Sequence, residues 1–314
     1  MNPLISVVSP VYRAERIVQE LVSRISNGIS SITCNYEIIL ICDGSPDNSW
    51  LEIEKCCKED HRVIGINLSR NFGQHNAITA GLKCSRGDWV VVIDCDLQDN
   101  PGEIPTLFAK AMVGYDIVLT KRILRQDSYF KRLSSLIFQK VYNLMSGLQI
   151  DGSISNYGIY SRAVINEFNR MGEVARSFHS LISYLGFRTA IIQLSHSTRF
   201  EGKSSYSWKK LLKLGGDVIL ANSNKPLKMA IILGAFVTFV SFILIIYNFI
   251  LYFTQNVISG FSSTIISIWL IGGLNMLVLG VFGLYIDKIF NQVKNRQLFI
   301  ISKTINFNKD SNYE

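Results

Sequence analysis

The sequence predicts an α/β fold built on a mainly parallel sheet, followed by a helical hairpin in a membrane. Three observations lead there: β-branched runs recur at helix-length spacing, acids follow the ends of those runs, and two long uncharged apolar segments lie toward the C-terminus. The runs are Leu4 to Val11, Tyr36 to Ile41, Val63 to Asn67, Trp89 to Ile93 and Asp116 to Leu119. Short apolar runs alternating with helix-length stretches mark β-α units, whose strands lie parallel with helices on both faces.

Ligands of open parallel sheets gather beyond the carboxyl ends of the strands. Asp43 follows the second run and Asp94 the fourth, so two separate acids converge on one edge. The fourth run continues into Asp94-Cys95-Asp96-Leu97-Gln98-Asp99-Asn100-Pro101. Strand residues alternate faces, so Asp94 and Asp96 point the same way, and Gln98 adds a third oxygen if the extended geometry persists. Oxygen ligands of this kind suit Mg²⁺ or Mn²⁺, which keep open positions for nucleotide phosphates. A turn whose acids merely face water is the plainer alternative for an isolated Asp-x-Asp.

Composition adds a membrane. The 314 residues are 48% hydrophobic, with a mean hydropathy of +0.23. Met229 to Phe253 and Thr264 to Ile286 contain no Asp, Glu, Lys or Arg, and each exceeds the roughly 20 residues that span a bilayer. The short, uncharged connection Thr254 to Ser263 favours a hairpin returning the chain to its starting side. Lys225 and Lys228 precede the first span, and Lys288, Lys294 and Arg296 follow the second, which puts both flanks in the cytoplasm. Leu4 to Val11 is too short for the apolar core of a signal peptide, so no exported leader is expected.

The six cysteines lie between Cys34 and Cys95 without Cys-x-x-Cys spacing. A cytoplasmic domain keeps them reduced, so neither a zinc site nor a disulfide framework is read. The basic residues behind the net charge of +8 crowd into Lys121 to Lys140 and Arg199 to Lys228. That distribution suits phosphorylated ligands and an anionic membrane surface, and no nucleic acid partner. Ser128 to Ser146 and Ser207 to Ser223 mix Lys with Leu, Ile, Phe and Trp at helical spacing. Both are expected as amphipathic helices in the interfacial plane, with packing on the sheet an alternative for the first. The expected division is 1–206 for the nucleotide-binding domain, 207–228 for an interfacial helix and linker, 229–286 for two membrane helices, and 287–314 for a cytoplasmic tail, disordered from Asn306.

Four ordered motifs carry a resemblance: Val7-Val8-Ser9-Pro10-Val11-Tyr12, Asp43-Gly44-Ser45-Pro46-Asp47, Ser69-Arg70-Asn71-Phe72-Gly73 and Asp94-Cys95-Asp96-Leu97-Gln98-Asp99. Together they resemble a family 2 glycosyltransferase. Over nearly its whole length the chain is similar to the polyisoprenyl-phosphate glycosyltransferases, which include dolichol-phosphate mannose synthases and bactoprenol glucosyltransferases. The resemblance implies a GT-A type domain and metal-dependent, inverting transfer of one sugar from a nucleotide-sugar, most readily a UDP-sugar, to polyprenyl phosphate. The transfer would occur at the cytoplasmic leaflet of a bacterial inner membrane. A flippase and a second glycosyltransferase would then use the product for an envelope glycan.

The same resemblance implies that Pro10, Tyr12, Glu15, Asp43, Arg70, Asp94 and Arg122 line the nucleotide. It makes Asp94, Asp96 and Gln98 the ligands of Mg²⁺ or Mn²⁺, and has Arg199 and Lys203 meet phosphates through charge-assisted hydrogen bonds. Arg122 and Arg125 face either the diphosphate or lipid headgroups.

Departures from the pattern are informative. Cys42-Asp43 stands where the family commonly has Asp-Asp, and Arg13-Ala14-Glu15 where it commonly has Asn-Glu. Asn156-Tyr157-Gly158-Ile159-Tyr160-Ser161-Arg162 replaces a segment that often reads Asp-Phe-Arg-Leu-x-x-Arg. Asn156 cannot be a general base, because an amide accepts no proton at neutral pH. No base is required, since a phosphate monoester with a second pKa of about 6 is already an anionic nucleophile at pH 7. Asn156 is expected either to hydrogen-bond a sugar or phosphate or to be a plain turn residue. His75, His179 and His196 are not spaced as a metal set and receive no catalytic role.

Two rival readings follow. A processive polysaccharide synthase commonly carries Gln-x-x-Arg-Trp, which is absent from this sequence. An inactive membrane scaffold fits Cys42, Asn156 and Gly158 but not the intact Asp94, Asp96 and Gln98. Gly272, Gly273, Gly280 and Gly283 permit close helix packing, within the chain or in a homo-oligomer.

Overall fold

The computed structural model describes residues 3–122, 154–173, 178–194, 225–254, 261–294 and 296–307. The chain divides into two compact units, Met1–Gln139 with Ile150–Ser205 and Gln297–Glu314, and Lys140–Gln149 with Tyr206–Arg296.

In the first unit the five expected strands form as β1 (Ile5–Val11), β2 (Tyr36–Cys42), β3 (Val63–Leu68), β4 (Trp89–Val92) and β5 (Ile117–Arg122). Three more join them: β6 (Ile154–Ser161), β7 (Thr189–Leu194) and β8 (Ile301–Ile305). The sheet order is β7-β5-β6-β4-β1-β2-β3-β8. Strand β1 runs parallel to β2 and β4, β2 to β3, and β5 to β7, whereas β6 opposes β4 and β5, and β8 opposes β3.

Among the described residues this unit also contains helices α1 (Val18–Ser30), α2 (Ser49–Glu59), α3 (Gln74–Cys84), α4 (Ile104–Met112), α5 (Arg162–Arg170) and α6 (Phe178–Tyr184). Because helices cover both faces, β1 and β2 are buried at every residue and read as largely apolar runs, interrupted only by Ser6 and Ser9 in β1 and Glu37 in β2. Ile38 and Leu40 pack on one face with Leu21, Ile25, Ile53 and Leu107 from α1, α2 and α4. Ile39 and Ile41 pack on the other with Ile78, Leu82, Val164 and Phe178 from α3, α5 and α6. Helix α1 shows the helical counterpart of this alternation: Val18, Leu21, Ile25 and Ile29 share one buried stripe. Each such side chain contributes about 1.5–3 kcal/mol of transfer free energy.

The reversal of β6 decides what its two ends can do. Asn156 near its start lies at the carboxyl edge of β4, while Arg162 just past its end lies at the opposite edge. There the Arg162 guanidinium donates to the Gly87 carbonyl from Nε at 2.7 Å and Nη2 at 2.5 Å. On that same edge the buried Glu37 carboxylate accepts from Ser6 Oγ at 2.6 Å, the Arg86 backbone N–H at 2.7 Å and Arg86 Nη2 at 3.0 Å. Glu37→Gln keeps one acceptor oxygen but loses the charge, and is expected to cost about 1–2 kcal/mol, read as a lower midpoint in denaturant unfolding.

Residues 287–314 depart from the expected tail. Helix continues to Val293, and Ile301–Ile305 adds a strand to the sheet. The open edge of β3 supplies unpaired backbone groups for it. Ser69 N–H donates to the Ile300 carbonyl at 2.9 Å, Lys303 Nζ meets Glu54 at 2.6 Å, and Asn306 Nδ2 reaches the carbonyls of Cys57 and Val63 at 2.6 and 2.9 Å. Residues 308–314 lie outside the described residues.

The second unit contains α7 (Lys225–Thr254) and α8 (Phe261–Val293), which contact each other. The two expected spans fall inside these helices. Ile232, Phe236 and Phe239 on α7 and Leu270, Met276 and Leu279 on α8 are exposed. Leu270–Val293, 24 residues with mean hydropathy 1.7, is long and apolar enough to cross a membrane by length and composition. The expected amphipathic segments 128–146 and 207–223 lie outside the described residues.

Candidate active site

Loops at the carboxyl edge of the sheet converge through one close approach. Gly44 has φ +56°, and a Cβ on it would lie 2.3 Å from the Arg70 carbonyl carbon, so a glycine is required where the β2–α2 loop meets the β3–α3 loop. That contact brings the buried Asp43 carboxylate under two backbone amides. Phe72 N–H donates to Oδ1 at 2.7 Å and Gly73 N–H to Oδ2 at 3.0 Å. Burial pushes the Asp43 carboxyl up, and the two amide bonds oppose but do not cancel it. Each carboxylate oxygen keeps lone-pair capacity for a ligand.

Asp47, which the sequence reading left without a role, organises the neighbouring loop. Its Oδ1 accepts from the hydroxyls of Ser45 and Ser49 at 2.5 and 2.6 Å, and its Oδ2 from Glu15 N–H at 3.3 Å. Burial acts to raise this carboxyl, but the hydrogen bonds outweigh it and hold Asp47 below the usual carboxylate value. Arg13, at φ +54°, donates its N–H to Ser45 Oγ at 2.8 Å. Glu15 accepts the Asn48 N–H at 3.0 Å, ahead of α2. Glu15 thus ties the first loop to the start of that helix.

The Asp-x-Asp segment is not extended. Strand β4 ends at Val92, the chain turns at Cys95 and Asp96, and Leu97 takes φ +55°. Strand alternation therefore does not carry through to Gln98. Instead the Gln98 N–H donates to Asp96 Oδ1 at 3.2 Å, closing a turn of the Asx kind. Asp94 Oδ1 accepts from Gln74 Nε2 at 2.7 Å, and Asn156 Nδ2 lies 3.3 and 3.4 Å from its two oxygens. The far end of the loop is fixed to β6, where Ser155 Oγ donates to the buried Asp99 at 2.9 Å. Burial pushes the Cys95 thiol up to about 12, so it is no thiolate nucleophile at neutral pH.

The other expected residues distribute as follows. Pro10 is buried in β1, Tyr12 follows β1 and is exposed, and Arg70 is exposed with its guanidinium 4.5 Å from the Phe72 ring centroid. Arg122 ends β5 on the same edge. Arg125, Arg199 and Lys203 lie outside the described residues. Gly158 pairs with Val92 and Leu119 inside the sheet, and a Cβ there would sit 2.8 Å from the Val118 carbonyl oxygen. This packing has no space for the arginine that the family often carries.

His75 and His179, distant in sequence, are neighbours: the Phe178 N–H donates to His75 Nδ1 at 3.4 Å. Burial lowers both imidazoles, and His75 adds to the shift that takes His179 to about 4. An unfolded histidine takes up its proton at about 6.5, so stability is lost as pH falls below that value toward the folded pKa. The loss is at most about 1.4 kcal/mol per pH unit for each histidine. Melting at pH 7 and pH 5 checks it, and His179→Gln is expected to flatten the dependence.

Carboxylate oxygens are the donor type that a hard divalent ion takes, and two such groups follow β4. Asp94 and Asp96 supply carboxylate oxygens at one strand end, and Mg²⁺ commonly binds through one or two carboxylates with phosphates and water completing the shell. Among the described residues no three His, Cys, Asp or Glu side chains form a closed metal cage.

Solved structures share this architecture. Mannosyl-3-phosphoglycerate synthase from Rubrobacter xylanophilus aligns over 70% of this chain and 72% of its own, with TM-score 0.52 and 15% identity. Glucosyl-3-phosphoglycerate synthase from Mycobacterium tuberculosis, in complex with Mn²⁺, uridine diphosphate and phosphoglyceric acid, aligns over 70% and 77%, with TM-score 0.50 and 21% identity. The fold is therefore GT-A-like, with a mostly parallel sheet that gathers carboxylates at its carboxyl edge. Residues 6–185 match the model of Glycosyl transferase family 2, and the chain belongs to that family.

Two relatives extend the match to almost full length. The uncharacterized glycosyltransferase YkcC of Bacillus subtilis is 34% identical over 95% of this chain and 93% of its own. The undecaprenyl-phosphate 4-deoxy-4-formamido-L-arabinose transferase of Proteus mirabilis is 34% identical over 97% and 95%.

Proposed function

We propose that the protein transfers one sugar from a nucleotide-sugar, most readily a UDP-sugar, to polyprenyl phosphate at the cytoplasmic leaflet of a bacterial inner membrane. The observation carrying this reading is the near full-length identity to an undecaprenyl-phosphate sugar transferase, which extends through α7 and α8 as well as the catalytic unit. The exposed apolar side chains of those helices support lipid as their surroundings. The strands on either side of these helices, β7 and β8, belong to one sheet, which supports a chain that leaves for the bilayer and returns to the same side. Two crossings by α7 and α8 make that return.

Asp43 offers its remaining acceptor capacity to the base, with Tyr12 and Arg70 beside it. Asp94, Asp96 and Gln98 would hold Mg²⁺ or Mn²⁺, which when bound supplies positive charge to the departing diphosphate. Arg122, Arg199 and Lys203 serve phosphate oxygens. The lipid phosphate oxygen attacks the anomeric carbon as the bond from that carbon to the diphosphate oxygen breaks. The electron pair leaves with the nucleoside diphosphate, the anomeric configuration inverts, and no proton has to move. Asn156 is uncharged beside this centre and takes no proton.

The test uses full-length protein in detergent with undecaprenyl phosphate, Mg²⁺ or Mn²⁺, and labelled UDP-, GDP- and dTDP-sugars. Metal-dependent entry of label into the organic phase from one donor is expected. Folded protein that transfers label from none of them would overturn the reading.

A further inference from the structure

The segment Phe72-Gly73-Gln74 spans the two halves of the site. The backbone N–H groups of Phe72 and Gly73 donate to Asp43, and the next side chain, Gln74, donates to Asp94 Oδ1 at 2.7 Å. Gly73 takes φ +93° as it leads into α3, a conformation rare for side chains other than glycine. Gln74 therefore starts the helix within reach of the acid at the end of β4. From the opposite side, Asn156 Nδ2 lies at 3.3 and 3.4 Å from the Asp94 oxygens.

Two amide nitrogens facing one carboxylate have a specific physical consequence. The carboxylate torsion of an aspartate is broad, so the group turns unless donors fix its plane. Gln74 supplies the shorter, charge-assisted bond and Asn156 a longer, bridging contact. Both are neutral, so neither competes with a cation for Asp94 by charge. An aspartate at 156, as the family often has, would set a second negative group beside the first. Asn156 replaces that repulsion with a donor.

We propose that Gln74 is a positioning residue: with Asn156 it forms an uncharged clamp that holds the Asp94 carboxylate for the metal and diphosphate, and through Gly73 and Phe72 it couples that carboxylate to Asp43. This rests on the proposed nucleotide–metal site and adds a residue outside the motifs that define it. Gln74 acts through Asp94 and touches no reacting atom.

The test measures binding of Mn²⁺ with UDP to full-length protein by calorimetry and by Mn²⁺ paramagnetic resonance, alongside donor and acceptor kinetics. Gln74→Met keeps length without a donor, and is expected to weaken Mn²⁺–UDP binding about tenfold or more. Gln74→Glu keeps shape but turns a like charge toward Asp94, and is expected to bind more weakly still. kcat/KM for the donor should fall in the same order, with KM for the lipid phosphate and the melting temperature near wild type. Gln74→Met or Gln74→Glu binding Mn²⁺–UDP as tightly as wild type would overturn the clamp and leave the proposed function standing. Wild-type protein that binds no Mn²⁺–UDP would overturn both. Gln74→Ala serves as the second variant should either of the others melt early.

Discussion

Asp96→Ala is expected to lower sugar transfer at least a hundredfold, with the melting temperature close to wild type. Asp96 stands past the end of β4 in a turn, half-buried, with Oδ1 accepting the Gln98 N–H at 3.2 Å. Losing one such turn bond costs about 1 kcal/mol, a small part of the stability of a domain. Losing the charge removes an anchor for positive charge at the diphosphate, and preorganised groups of that kind contribute roughly 10²–10³ in rate. Asp96→Asn separates the two effects, because the amide oxygen still closes the turn but carries no charge. Near wild-type transfer by Asp96→Asn, measured with the labelled donor, would show that the charge is dispensable.

Asp43→Ala is expected to damage both fold and binding. Its carboxylate is the buried acceptor for Phe72 and Gly73. Hydrogen bonds to charged groups contribute about 1.5–3 kcal/mol each, which puts the loss at about 3–6 kcal/mol. The β3–α3 loop would be released from the β2–α2 loop, and Gln74 would lose its fixed approach to Asp94. Asp43→Asn retains one acceptor oxygen and should lose less. Urea unfolding and UDP binding read the two consequences separately. An alanine variant within about 1 kcal/mol of wild type would sink the claim that this carboxylate joins the loops.

The sequence was most legible where local pattern and tertiary demand coincide. Strands β1 to β4 are buried on both faces over most of their length, so their runs are predominantly apolar and visible without any partner. The same rule put Asp43 and Asp94 at strand ends, where parallel sheets collect ligands. Strand β8 escaped notice because Ile301-Ser302-Lys303-Thr304-Ile305 is short, and its partner β3 is remote in the chain. Strand β6 was seen only as a motif, and its direction could not be read from composition.

By itself, then, the sequence determined the α/β class, the two long apolar segments, the acids beyond the strands and the family. Tertiary structure alone decided that Asp43 accepts two amides, that Glu15 and Asp47 serve loop architecture, that Asn156 faces Asp94 while Arg162 faces Gly87, and that Gln74 donates to Asp94. The physical reason is the range of the interactions. Burial and backbone propensity act over a few residues and leave a period in the sequence. Hydrogen bonds between loops depend on which strand ends lie side by side, and a polar residue has the same local signature whether it faces water or an acid from another loop.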